Sequence, residues 1–425
     1  MKTFAIILFA LTYVLLIAFQ RWRPWIALAS AAVFLISGLL PLGELGGAID
    51  WNILLMLSGT MGTVALFIES KMPNRMADLL LRKTPNVMWA AVALSLFAGI
   101  VSAFVDNVAT VLMIAPVGVA IAKRLDISPV PLLITISVSS NLQGAATLVG
   151  DTTSIMLGSY AGMDFLDFLF MHGRPSIFWA VELGAVATVP VIMLIFRRAR
   201  GGIPETEPTP VEDYFPTWLL GANILLLIGV SFFYNKPAVT NGLICMAVFI
   251  VGAIRSIVKS RSLGSVTDAV KGIDYETLLL LTGLFVVIAG ITEAGVIRDI
   301  SGIFVKLGGG NLFALYSLIV WGSVLFSAFI DNIPYVATML PVVSGIAAAQ
   351  GYSPYVLYFG LLVGATLGGN LTPIGASANI AAIGILRKEG CEVKTSDFMR
   401  IGAPFTLIAV LVGYAFCWLV WAKPV

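Results

Sequence analysis

Two aspartate–asparagine pairs interrupt long apolar stretches of the chain. Asp106-Asn107 follows Phe-Val, and Asp331-Asn332 follows Phe-Ile. A carboxylate at bilayer depth costs on the order of several kcal/mol unless it faces water, protein or an ion. Such a carboxylate can carry a proton or, with neighbouring oxygens, bind a hard cation. The alternative is that each aspartate only caps the helix that follows it. Because the pair occurs twice, at equivalent positions, we favour an ion-binding role.

A second polar motif follows each aspartate pair. Its first copy runs over 139–153 and its second over 368–379, where glycines, hydroxyls and amides interrupt apolar sequence. Irregular backbone at bilayer depth is tolerated where it is buried in protein or lines a cavity. A broken helix also directs its new N-terminus and its freed carbonyls at a binding site. A glycine-rich packing surface would explain the small residues but not Asp151 or the paired Asn and Thr positions. The predicted ion- or substrate-binding residues are therefore Asp106, Asn107, Asn141, Thr147, Asp151, Thr152, Asp331, Asn332, Asn370, Thr372, Ser377 and Asn379.

Other candidate sites are weak. The three cysteines are scattered and the chain has one histidine, His172, in a polar loop, so we expect no metal site other than Na⁺ at the residues above. No ATP-binding motif is present, and we expect no cofactor. The polar motifs contain no buried Lys or Arg that could meet a charged substrate. Asp50 and Asp274 precede helices and are interpreted as N-caps, while Glu69 and Glu293 end helices and are interpreted as solvated.

The composition requires a membrane to hold these motifs. Of 425 residues, 59% are hydrophobic and only 11% are charged, whereas soluble domains carry about a quarter charged residues. The net charge of +2 gives no reason to expect nucleic acid as a partner. We interpret the N-terminal apolar run as a first spanning helix and not as a signal peptide. Twelve apolar segments are predicted, at about 3–19, 24–41, 51–68, 88–122, 129–160, 176–196, 216–234, 237–258, 274–292, 312–349, 354–386 and 401–422.

The two halves of the chain repeat one another. Asp106 pairs with Asp331 at an offset of 331 − 106 = 225, and the flanking residues match in register. The same offset joins Gly150 to Gly375, and an offset of 224 joins Asp50 to Asp274. So many matches in register indicate an internal repeat. We predict a first repeat over 1–200, a cytoplasmic linker over 201–215 and a second repeat over 216–425.

The distribution of basic residues predicts that the repeats are inverted. If the runs at about 88–122 and 312–349 enter the bilayer and return as re-entrant hairpins, most Lys and Arg residues fall on one side. The predicted fold is therefore an all-α polytopic membrane protein with two inverted-topology repeats. Each repeat has about five transmembrane helices, one hairpin and one broken helix, at about 129–160 and 354–386. We expect the plasma or inner membrane, with both termini on the non-cytoplasmic side.

At these motifs the sequence resembles the ion transporter superfamily, in particular its branch of arsenite pumps, sodium–proton antiporters and P-protein permeases. The resemblance lies in Ser102–Pro116, Ala145–Ile155, Ser327–Pro341 and Gly368–Ile380. It implies a scaffold formed by the first helices of each half and a mobile transport domain formed by the hairpins and broken helices. An elevator-type movement would follow. The related dicarboxylate transporters have Ser-Asn-Thr at the hairpin tip, and this chain departs from that pattern.

Three transport activities are compatible with these features. The first is proton-coupled antiport that exports a small oxyanion or oxyacid such as arsenite, and the resemblance favours it. The second is sodium–proton antiport on the same carboxylates. The third, uptake of a di- or tricarboxylate, is disfavoured by the lack of a basic residue. Enzyme activity is not expected. Lipid and a small inorganic ion are the expected partners, a homodimer is compatible with the sequence, and an ATPase subunit would apply only to an arsenite pump.

Overall fold

The structure is a computed structural model that describes residues 1–199, 201–202, 208–233, 235–260 and 264–423. Each predicted apolar segment forms one helix or a pair of helices separated by a break. The helices are α1 (Lys2–Ala18), α2 (Arg23–Ile36), α3 (Leu45–Ala48), α4 (Trp51–Glu69), α5 (Met72–Leu81), α6 (Val87–Ser102), α7 (Asn107–Arg124), α8 (Val130–Gly144), α9 (Thr152–Ala161), α10 (Ile177–Phe196), α11 (Phe215–Val230), α12 (Thr240–Ser260), α13 (Gly264–Lys271), α14 (Tyr275–Glu293), α15 (Val296–Gly308), α16 (Leu312–Ser327), α17 (Asn332–Gln350), α18 (Tyr355–Leu362), α19 (Ser377–Lys388) and α20 (Thr395–Trp421).

The helices confirm an all-α polytopic membrane protein. Within the described residues, seven helices are long and apolar enough to cross a bilayer, or nine if two strongly bent pairs each count as one span. The bent pairs join α1 to 20–36, at 116°, and α15 to α16, at 117°. Three shorter apolar helices of the described residues add to these: Val87–Ser102, Phe215–Val230 and Tyr355–Leu371.

The internal repeat is visible in where the helices begin. Helices α4 and α14 start 275 − 51 = 224 residues apart, and so do α5 and α15. From α6 onward the offset is 225, which relates α6 to α16, α7 to α17, α8 to α18 and α9 to α19. The joint before α5 and α15 is also shared, because Lys71 and Gly295 both have left-handed backbones. The amphipathic helices α5 and α15 were not among the predicted segments.

The two halves interlock through four helices, α2, α4, α12 and α14, which are called the scaffold helices below. Helix α2 of the first half packs against α14 of the second, and α12 of the second packs against α4 of the first. Glycines allow both approaches: a Cβ on Gly283 would lie 2.5 Å from the backbone of Ala27, and one on Gly59 would lie 2.3 Å from the backbone of Cys245. Helices α10 and α20 also pack together. Each half therefore completes the packing of the other.

Both predicted breaks in each half are confirmed. Helices α6 and α7 are separated by 103–106, and α8 and α9 by 145–151. The hydroxyl of Thr147 donates to the carbonyl of Ala103 across these two breaks. A Cβ on Gly150 would lie 2.5 Å from the carbonyl oxygen of Gly144 and 2.7 Å from that of Ala103. The break after α8 is thus held directly against the tip of the α6–α7 hairpin.

The second half repeats this arrangement. Thr372 donates to the carbonyl of Ala328, and a Cβ on Gly375 would lie 2.5 Å from the carbonyl oxygen of Gly369. One difference is a π-helical turn over Val363–Leu367 that continues α18. Such turns occur mostly as single insertions in α-helices, often at functional sites.

The predicted linker at 201–215 lies partly outside the described residues, at 203–207. Its remaining part is anchored to the first and second halves. The hydroxyl of Thr209 donates to Asp78, and Arg255 and Lys259 both donate to Asp213, at 2.5 and 2.9 Å. The basic residues Arg200 and Arg261 of the predicted cytoplasmic face also lie outside the described residues.

A short loop after α9 carries the one histidine. It contains two paired two-residue strands, β1 (Phe170–Met171) and β2 (Arg174–Pro175). His172 is exposed at the turn between them, as predicted.

Candidate ion-binding site

Asp106 and Asp331 stand at the start of the second hairpin helix in each half. Oδ2 of Asp106 accepts from the backbone N–H groups of Val108, at 3.0 Å, and Ala109, at 3.1 Å. Oδ1 of Asp331 accepts from the N–H of Ile333 at 3.2 Å. The helix-capping alternative is therefore realised in both halves. Capping does not use up the carboxylate of Asp106, because it engages only Oδ2, and within the described chain Oδ1 has no hydrogen-bond partner.

Asp151 lies beside the tip of the first hairpin and is 4% exposed. Its Oδ1 accepts from the side-chain amide of Asn107 at 3.3 Å, and its Oδ2 accepts from the hydroxyl of Thr153 at 2.7 Å. The same amide nitrogen of Asn107 lies 3.0 Å from Oδ1 of Asn141. The hairpin tip and the break after α8 therefore share one buried polar network.

This network continues into the second half. The amide of Asn141 donates to the carbonyl of Thr366, at 2.8 Å, and to Oδ1 of Asn370, at 3.0 Å. Asn370 in turn donates to the carbonyl of Val138 at 3.0 Å. The hydroxyls of Thr153 and Thr366 lie 2.8 Å apart. Thr366, whose carbonyl and hydroxyl both make these contacts, lies in the π-helical turn. This irregular backbone therefore joins the two repeats at the site.

The four tips and breaks surround a small cavity. Its volume is about 30 Å³, and one water needs roughly 10–15 Å³ of such space. An ion with a water or two would therefore fill it. Three carboxylates line it and, among the described residues, no basic side chain does. The lining residues are Met61, Asp106, Asn107, Val108, Asp151, Thr152, Asp274, Thr277, Asn332, Ile333 and Ser377.

Arg23 contradicts the expectation that no basic residue lies at the site. Its Nη1 lies 2.9 Å from Oδ2 of Asp331, and the two side chains are only 12% and 6% exposed. Nε of Arg23 also donates to the carbonyl of Leu16 at 3.2 Å. The hydroxyl of Ser377 donates to the same Asp331 oxygen at 3.3 Å. The expectation was wrong because Arg23 stands at the start of α2, where its sequence context matches that of a basic residue at the membrane surface.

The predicted site residues separate into four groups. Six of them line the cavity: Asp106, Asn107, Asp151, Thr152, Asn332 and Ser377. Asn141 and Asn370 lie behind the cavity, in the contact between the repeats, and Asp331 is paired with Arg23. The other three are bonded to backbone: Thr147 and Thr372 donate to hairpin-tip carbonyls, and Asn379 donates to the carbonyls of Gly369 and Thr372.

Sequence reasoning missed the part of the cavity contributed by the scaffold. Asp274 is an N-cap, as predicted, since it accepts from the N–H and the hydroxyl of Thr277, at 3.1 and 2.6 Å. Both residues also line the cavity, together with Met61 of α4. The repeat offset could have revealed one further member of the polar network behind the cavity, Thr366, because it aligns this residue with Asn141 (366 − 141 = 225).

The site is not symmetric between the repeats. The counterpart of Asp151 is Ala376 (376 − 151 = 225). Of the two capping aspartates, Asp106 lines the cavity whereas Asp331 is held by Arg23. The repeats therefore form one acidic cavity, in which the first half supplies two of the three carboxylates.

Matched broken helices with carboxylates buried at their junction are typical of membrane transporters. The sequence model of the citrate transporter family matches residues 13–364 and 265–425. The chain belongs to this family, which lies in the superfamily of arsenite pumps and sodium–proton antiporters.

Sequence relatives agree with this assignment, and a solved structure shares the fold. An uncharacterised transporter of Mycobacterium tuberculosis is 30% identical over 430 residues, covering 99% of this chain and 98% of the relative. The human P protein is 26% identical over 447 residues, covering 87% of this chain and 53% of the P protein. The fold is similar to that of the YdaH transporter of Alcanivorax borkumensis, with a TM-score of 0.63 at 15% identity, covering 96% of this chain and 99% of that one.

Proposed function

We propose that the protein is a secondary active transporter that exchanges protons for a small inorganic ion or oxyacid, with efflux of arsenite as the first activity to test. The observation that carries the proposal is the cavity of about 30 Å³ lined by Asp106, Asp151 and Asp274. Three carboxylates without a basic residue in the lining attract a proton or a cation. The cavity is also small compared with the roughly 300–1,000 Å³ of pockets that bind organic ligands.

Asp106 and Asp151 are the proposed proton carriers. Neither pairs with Lys or Arg within the described chain, whereas Asp331 pairs with Arg23. Protonation of Asp151 would change its bonds to Asn107 and Thr153, and Thr153 contacts Thr366 of the second half. Proton binding would thus alter the contact between the repeats. Arsenous acid is largely uncharged at neutral pH, so an acidic cavity need not repel it.

Sodium–proton antiport is the second candidate. The hydroxyls of Thr152 and Ser377 and the side chain of Asn332 line the cavity beside the carboxylates. Oxygen ligands of this kind are those that hard cations prefer. The same aspartates would then bind either H⁺ or Na⁺.

Carboxylate transport is a third candidate, favoured by the description of the family as citrate transporters. Arg23 lies at the tip of the second hairpin, but its guanidinium is paired with Asp331. A citrate anion would have to displace that carboxylate or bind among three others. The geometry therefore supports this activity less than the first two.

The test is proton flux in liposomes that contain the purified protein, challenged in turn with arsenite, sodium, lithium and citrate. We expect proton movement with arsenite, and its loss in Asp106→Asn and Asp151→Asn with insertion intact. The matched control is Asp268→Asn, since this aspartate is 71% exposed in a surface pair. Proton flux with sodium or lithium alone would favour sodium–proton antiport over arsenite efflux. Proton flux with citrate alone would refute the proposal. Normal flux in both cavity variants would refute the role of the carboxylates.

A further inference from the structure

We propose that Asp50 takes the place of Asp274 at the ion cavity in the opposite state of the transport cycle. The inference rests on the proposed function, since it assigns the cavity a second set of scaffold ligands. Asp50 and Asp274 are repeat counterparts, 274 − 50 = 224, and each caps the following helix. In the present structure only Asp274 lines the cavity.

The repeat counterparts of the scaffold residues that line the ion cavity lie around a different cavity. At the offset of 224, Asp274, Thr277 and Met61 correspond to Asp50, Ile53 and Phe285. These last three line a vestibule of about 660 Å³ between the scaffold and helices α9 and α17. One set of scaffold residues therefore faces the ion cavity, and the other set faces the vestibule.

The vestibule shows how far the site would have to move. Asp50 accepts from the hydroxyl of Ser159 on α9 at 2.6 Å. Thr152, which lines the ion cavity, lies 159 − 152 = 7 residues earlier on the same helix. Seven residues of α-helix span about 10 Å. If α9 shifted by about 10 Å along α4, Thr152 would therefore reach the position that Ser159 now has beside Asp50. The ion cavity would then lie at Asp50 and would no longer be lined by Asp274.

The hydrogen bond between Asp50 and Ser159 would have no equivalent in the opposite state, in which Asp274 and Asp50 exchange their roles. The repeat partner of Ser159 is Gly384 (384 − 159 = 225), which has no side chain and open space around its Cα. In the opposite state Asp274 would lie at Gly384 without a hydrogen bond. The bond from Ser159 to Asp50 therefore favours the observed state.

Two cysteine pairs in a cysteine-free background test the exchange. The pair Asp50→Cys with Ser159→Cys reports the observed state, and Asp274→Cys with Gly384→Cys reports the opposite one. Both should cross-link in membranes, and each cross-link should stop transport. The control is Asp274→Cys with Ser159→Cys, which neither state brings together. When Ser159→Ala is added to the cysteine pair at 274 and 384, the cross-linking rate of that pair should rise on the order of tenfold. The reason is that the observed state loses the charge-assisted bond from Ser159 to Asp50, so the opposite state is more populated.

A second measurement leaves both capping aspartates intact. Labelling of Ile53→Cys by a water-soluble thiol reagent should slow when Ser159→Ala or Gly384→Ser is added, because both favour the state that closes the vestibule. Gly384→Ala, which adds a Cβ but no hydroxyl, should leave the labelling rate unchanged. The proposal is overturned if positions 274 and 384 never cross-link while 50 and 159 do, or if the control pair reacts as fast. Cross-linking does not depend on which ion is carried, so failure of the flux test with normal cross-linking would refute only the proposed function.

Discussion

The pair formed by Arg23 and Asp331 allows a quantitative test of the site. The two side chains are 12% and 6% exposed at 2.9 Å separation, and breaking a buried pair by removing one partner costs about 3–5 kcal/mol. The loss of stability in Arg23→Gln should lie at the lower end of this range, about 3 kcal/mol, because Asp331 still accepts from the N–H of Ile333 and the hydroxyl of Ser377. Asp331→Asn should cost less, about 2–3 kcal/mol, because the amide oxygen of Asn can still accept from Arg23, which also keeps the carbonyl of Leu16.

The double variant Arg23→Gln/Asp331→Asn removes both charges and should cost little more than Arg23→Gln alone. The expected coupling energy is about 2–3 kcal/mol, measured by unfolding the four proteins in one detergent. The matched control is Lys271→Gln, whose pair with Asp268 is 70% and 71% exposed and should contribute less than about 1 kcal/mol. Costs that add within about 0.5 kcal/mol would refute the pairing.

Three further predictions concern the break after α8, the linker between the halves and the turn before α5. Gly150→Ala should destabilise the protein by about 2–4 kcal/mol and impair transport, because its Cβ meets three backbone carbonyl oxygens, one at 2.5 Å and two at 2.7 Å. In the same unfolding assay Gly384→Ala, whose Cβ meets no atom within 4 Å, should be neutral or stabilising by up to about 1 kcal/mol. Burial raises the pKa of Asp213, but the hydrogen bonds from Arg255, the N–H of Phe215 and Lys259 together outweigh it and lower this pKa. The carboxylate therefore adds stability above its unfolded pKa of about 3.9, and that stability is lost as the pH falls through the lower folded value. The melting-temperature deficit of Asp213→Asn at pH 7 should shrink in strong acid. Lys71→Gly should raise the unfolding free energy by about 0.5–1 kcal/mol, because the left-handed backbone at φ +60° strains a side chain. Lys71 also forms an exposed ion pair with Glu212, and a decrease would show that this pair matters more than the strain.

The positions of the breaks were accessible from sequence because the signals are local. A charged or glycine-rich motif inside an apolar run has few interpretations at bilayer depth, and the repeat offset confirmed each one. Hence the tips at Asp106 and Asp331 and the irregular segment before Asp151 were placed correctly.

The partners of the side chains were not accessible in the same way. Arg23 and Asp331 are 308 residues apart, and nothing near Arg23 distinguishes it from the other basic residues at helix ends. Thr147 and Thr372 have the right chemistry for an ion site, but their hydroxyls donate to the carbonyls of a neighbouring break. Sequence patterns predict which residues are near a break, whereas the direction of each side chain depends on the packing of helices from both halves.

The interlocked scaffold has a consequence for how the protein is made. Ala27 on α2 packs against Gly283 on α14, which is synthesised 283 − 27 = 256 residues later. At about 5–20 residues per second, α2 waits about 13–50 s for its partner. During that interval its packing face is open to lipid or to the insertion machinery. Assembly of the scaffold is therefore a late, post-insertion event, and a ribosome stalled before α14 would leave a first half that is inserted but unpaired and prone to degradation.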